Sequence, residues 1–173
     1  KAEMIPFYET FLPDQFPAEI LSVYNFEDNS GNSKTLVQSN GNLYVNGLTS
    51  IKSGLSANKL RFTVFRDAGV NKAYFCNGVD GLMKTDGSTV SSVTTLNQCS
   101  IICAHANMII INDVSNPLRT WFSENLSDSG LDVNHFDLKV DPNQKITGYV
   151  SFGIYLLILT TNGGVLLQGT SKD

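Results

Sequence analysis

Residues 146–168 read ITGYVSFGIYLLILTTNGGVLLQ, and the reading of this stretch decides the fold. A short apolar run, YLLIL, is followed by Asn162-Gly163-Gly164 and then by a second apolar run, VLLQ. Short apolar runs bounded by turn residues read as strands, and a glycine pair supplies the positive φ that a tight hairpin needs. The stretch therefore predicts a hairpin of YLLILTT and VLLQGTS turning at Asn162-Gly163-Gly164, with a further strand opening at Ile146.

The same opening recurs upstream. ILSVYNFED starts at Ile20, LRFTVFRDAG at Leu60 and IICAHANMIII at Ile101, so the four openings are 40, 41 and 45 residues apart. Each leads through a polar turn to a second strand and usually a third. Asn40-Gly41 predicts a primed hairpin turn in the first unit, Val79-Asp80-Gly81 a tight loop in the second, and VSNP a loop in the third. The 17 Asn, 17 Ser and 14 Gly among 173 residues supply turn chemistry for many short strands and argue against a helical bundle.

A three- or four-stranded antiparallel unit of about 40 residues cannot cover both of its faces alone. Radial stacking of such units buries the faces between neighbours, and this period is that of β-propeller blades. The expected fold class is all-β: β-propeller-like repeats of antiparallel three- to four-stranded blades over residues 20–173, with units starting near 20, 60, 101 and 146. A two-sheet β-sandwich is the plainer alternative. A start at Lys1, without Met, and a last strand with no closing partner predict part of a larger propeller. Residues 1–19, with Pro6, Pro13 and Pro17 among aromatics, read as an extended arm. Helix is not expected, a short turn around 14–21 being the one place left open for it, and residues 124–145 read as a long polar insertion outside the repeat.

Composition narrows function. A net charge of -4 with scattered basic residues argues against phosphate-neutralising nucleic-acid binding. The longest purely apolar run is six residues, 154–159, so no segment reads as a membrane span. Three cysteines make no disulfide framework, and Cys76, Cys99 and Cys103 read as small buried hydrophobes. There is no G-x-S-x-G elbow, His105 reads as a solvated or backbone-bonded turn histidine, and His135 reads as exposed. Asp128, Asp132, Asp137 and Asp141 lack the alternate spacing of a calcium loop. No catalytic residue, metal site or cofactor is expected.

One string carries a resemblance. Trp121-Phe122-Ser123-Glu124, a loop through Asp128, Gly130 and Asp132 to His135-Phe136-Asp137, and then Ile146-Thr147-Gly148-Tyr149-Val150-Ser151-Phe152-Gly153 resembles the repeat of β-propeller proteins in tailed-bacteriophage virions. The hairpin AYFCNGVDGLMKTDG, residues 73–87, is similar to another part of that family. Thr160-Thr161 stands where that family often carries a charge. The resemblance implies a non-enzymatic virion component of the tail hub, nozzle or head–tail connector, assembled in the host cytoplasm. It implies a homo-oligomeric ring in contact with portal, adaptor, tail or fibre proteins. Phe7, Tyr8 and Phe11 of the arm, with Arg119 and Trp121, are the candidate partner contacts. The alternative is a cellular β-propeller serving as a protein- or glycan-binding module. A glycan-cleaving enzyme would need carboxylates converging on a pocket, whereas the acids here fall mostly in turns.

Overall fold

The computed structural model describes residues 16–93 and 98–169. These residues form strands and connections with no helix, so among them no helix is long and apolar enough to cross a membrane. Four separate antiparallel sheets follow one another along the chain, each with its strands in sequence order. Sheet 1 holds β1 (Ile20–Glu27), β2 (Ser33–Ser39), β3 (Asn42–Val45) and β4 (Thr49–Lys52). Sheet 2 holds β5 (Arg61–Asp67), β6 (Val70–Cys76), β7 (Met83–Thr85) and β8 (Val90–Ser92). Sheet 3 holds β9 (Ile102–His105), β10 (Met108–Asn112), β11 (Arg119–Phe122) and β12 (His135–Asp137), and sheet 4 holds β13 (Ile146–Phe152), β14 (Tyr155–Thr160) and β15 (Gly163–Gln168).

Burial follows from stacking. Phe26, Leu36 and Leu43 of sheet 1 meet Ala73, Phe75 and Met83 of sheet 2. Tyr74 and Cys76 on the opposite face of β6 meet Ile109, Ile111 and Trp121 of sheet 3. Met108 and Ile110, on the other face of β10, meet Ile146, Leu156 and Ile158 of sheet 4. Sheets 2 and 3 are thus covered on both sides, and their second strands are apolar at consecutive positions: AYFC in β6 and MIII in β10 are buried throughout. The first strands β5, β9 and β13 lie nearest one another between sheets. None of the three cores joins sheet 4 back to sheet 1. Four sheets, rather than two, exclude the sandwich.

The turns show which sequence signals were read at face value and which were not. Asn40 (φ 49°) and Gly41 (φ 71°) form the expected primed turn, and Ala106 (φ 46°) and Asn107 (φ 61°) form one between β9 and β10. Asn162-Gly163-Gly164 is not the turn. Thr160 pairs with Gly163, so Thr161 and Asn162 make the bend, and both glycines lie in β15. The reason is room: a Cβ on Gly164 would meet the Ile158 carbonyl and the Leu157 methyl, both at 3.2 Å. In the 77–81 loop the positive φ belongs to Gly78, and the Asn77 side-chain carbonyl accepts from the N–H groups of Val79 and Asp80 at 3.0 and 2.8 Å.

Helix is absent from the described part of 14–21 as well, because β1 already begins at Ile20, and one further expectation is corrected. Residues 124–145 are not wholly outside the repeat, since β12 is the fourth strand of sheet 3, with Phe136 opposite Thr120.

Candidate interaction surface

Sheet 4 differs from its neighbours in having one face packed and one open. Alternation along β14 points Leu156 and Ile158 into the core with sheet 3, and Tyr155, Leu157 and Leu159 the other way. Register aligns Val150, Leu157 and Leu166 in one outward row, and Phe152 and Tyr155 in the next, where their rings stack at 5.5 Å. Val150, Phe152, Leu159 and Leu166 are 45%, 47%, 37% and 55% exposed. Leu159 lies between Gly148 and Gly164 of the flanking strands, its methyls over the positions where their Cβ atoms would be. Of the thirteen exposed large hydrophobics in the described residues, five belong to this sheet and its Gly153-Ile154 turn, whereas the others are scattered. A contiguous apolar sheet face marks a contact surface, whereas isolated exposed side chains do not.

The opposite end of the stack is covered over β2 and β3, while Val23 of β1 is 49% exposed. Val37 and Ser39, on the outer face of sheet 1, are fully buried. The Phe16 ring stands edge-on to Tyr44 at 5.4 Å, and the Ser39 hydroxyl donates to the Ala18 carbonyl at 2.9 Å.

Polar residues across the molecule hold sheets together. His105, expected at a turn, is buried at the end of β9. One ring nitrogen lies 2.9 Å from the Ser151 hydroxyl of β13 and the other 3.3 Å from the Gly169 carbonyl, so both ring nitrogens join sheet 3 to sheet 4. A cavity of about 250 Å³ beside it is lined by Met108, Ile110, Phe122, Phe136 and Leu156, with no carboxylate, ammonium or guanidinium group. Asp67 accepts from Lys72 at 2.8 Å and Lys84 at 3.3 Å, while Lys84 also pairs with Asp128, which accepts from the Tyr74 hydroxyl. Burial opposes ionisation of Asp67, and the two ammonium groups outweigh it and hold its carboxyl below the usual range. Burial, together with the Asp128 carboxylate, pushes the Tyr74 phenol up. The Cys99 sulfur beside Cys76, with burial, pushes the Cys76 thiol well up; Cys103 is half-buried. These cysteines occupy core positions.

Among the proposed contact residues, the structure brings Arg119 and Trp121 together on β11. The Arg119 guanidinium forms a two-pronged pair with Asp137 at 2.8 and 3.0 Å and lies 5.5 Å from the Trp121 ring centroid. Trp121 is 9% exposed, donates to Asp113 at 3.3 Å and flanks His135, so its ring belongs to the core between sheets 2 and 3. Phe7, Tyr8 and Phe11 lie outside the described residues. Among the described residues no three His, Cys, Asp or Glu side chains gather as a metal site requires. The outward face of sheet 4 was missed as a surface; its signal is YLLIL, apolar at positions of both parities.

No protein-family description matches the chain. No curated protein sequence matches it. Among solved structures, the crystal structure of the computationally designed Ika4 protein is similar with a TM-score of 0.57 at 9% identity, over 90% of this chain and 94% of that one. The computationally designed Ika8 protein is similar with a TM-score of 0.58 at 9% identity, over 90% of this chain. The chain spans 48% of the length of Ika8. At this identity the likeness is one of fold alone.

Proposed function

We propose that this chain is a structural component of a tailed-phage virion, in the tail hub, nozzle or head–tail connector. In this reading its four sheets are blades of a β-propeller and assemble with copies of the chain and with other virion proteins. The observation that carries the proposal is the outward face of sheet 4, an apolar sheet surface at the end of a stack in which sheets 2 and 3 are covered on both faces. First strands that lie nearest one another between successive sheets suit the radial order of blades. The string from Trp121 to Gly153 adds the resemblance to virion propellers, and the polar clusters bind sheet to sheet rather than converging on an open pocket. Mass spectrometry of gradient-purified phage particles bearing this gene, with gold-labelled antibody to the chain, tests the proposal. The chain is expected in washed particles, with label at the tail or the head–tail junction. Its absence from the particles would defeat the reading.

A further inference from the structure

We infer that the outward face of sheet 4 docks on the same face of a second copy of this chain, giving a two-fold dimer. The inference rests on the same face that carries the virion reading and goes beyond it by naming the occupant; its test reads self-association and not presence in particles. Its first support is the disagreement between sequence and burial in β14. Continuous apolar runs elsewhere, AYFC in β6 and MIII in β10, are covered on both faces, whereas YLLIL is covered on one.

The identity of the occupant follows from charge and from the other end of the stack. Val150, Phe152, Tyr155, Leu157, Leu159 and Leu166 carry no charge, so doubling this face buries none and opposes no like charges. A two-fold contact requires one self-complementary patch and nothing else. Head-to-tail growth would instead require the outer face of sheet 1, where Phe16 and Ala18 already lie against Tyr44 and Ser39 and Val23 alone of the Val23, Val37 and Tyr44 row is open. Two such faces stack about 10 Å apart, as the layers of a sandwich do. The patch exposes on the order of 400 Å² per copy, the size of the larger apolar patches on monomers. That is roughly half of the ~800 Å² per partner in a standard interface, the size of a weak, reversible contact.

Sedimentation velocity of the full chain from about 1 to 200 μM, a range that brackets micromolar association, tests this. The wild-type chain is expected to pass from one to two copies. Leu166→Asp is expected to raise the dissociation constant at least tenfold, and Leu159→Asp to do the same. Val133→Asp, at a 71% exposed site away from sheet 4, is expected to leave it unchanged. Circular dichroism of each variant establishes that it is folded. A monomer across the whole range, a dimer indifferent to Leu166→Asp, or Leu166-dependent oligomers larger than two would each overturn the inference. So would a full chain that stays monomeric while a chain lacking residues 1–15 dimerises, because the arm would then be the occupant. Failure here leaves the presence of the chain in phage particles to its own measurement.

Discussion

Ala68 and Ala106 hold φ at 48° and 46°, where an L side chain crowds its own backbone and only glycine, and to a lesser degree asparagine, is at ease. Replacing either alanine by Asn is therefore expected to stabilise the fold by about 0.5 kcal/mol, a part of the ~1 kcal/mol that the left-handed region costs. Urea unfolding midpoints measure this, and a lowered midpoint in both variants would contradict it. Asp67 gives a pH signature. Its carboxyl is held below the usual range in the folded state, so it contributes stability above the unfolded value near 4 that is lost as pH falls through the folded value. Asp67→Asn is expected to lower stability at neutral pH by about 1 kcal/mol, the upper end for a partly screened pair. The gap to wild type should close under acid, in unfolding curves taken from pH 7 down to about 2. Single residues also show how far the chain can be read. Asn40-Gly41 was legible because its conformation is local. Gly163-Gly164 was not, because those glycines make room for side chains that only the paired strands bring near.

At the scale of elements, legibility tracked apolar content. The strands of YFC, MIII and YLLIL were plain, whereas β12 was hidden because three residues, HFD, are too short to show alternation and sit in a polar segment. Its place is set from a distance, by pairing with β11 and by the Arg119–Asp137 pair. The buried turn histidine was hidden for the same reason, since Ser151 and Gly169 lie 46 and 64 residues away. Packing makes a contrast that can be measured. Ile158, fully buried between sheets 3 and 4, is expected to cost about 2–5 kcal/mol when truncated to Ala. Val133→Ala should change stability by less than about 0.5 kcal/mol. Equal effects from the two in guanidinium melts would be inconsistent with the one-sided packing of β14.

Across the whole molecule, the period of about 40 residues was legible and gave the four sheets, because each sheet repeats one hydrophobic pattern. Which faces stay open was not, since coverage depends on neighbours that no local pattern names. The order of stability should follow coverage. Amides of β6 and β10, in sheets packed on both sides, are expected to exchange slowest with deuterium, and those of β15 fastest among the strands. Uniform protection across the four sheets would speak against a stack that weakens toward sheet 4. The strand count of that sheet has one more consequence. Among the described residues β15 has a partner on one side alone, and its outer row of amides stands where β4, β8 and β12 stand in the other sheets. Those strands, TSIK, VSS and HFD, are short and mostly polar. Among the described residues that edge is open to strand addition, so an extended synthetic peptide of that length and character is expected to pair with β15 and to carry a fluorescent label onto the protein without altering its chain.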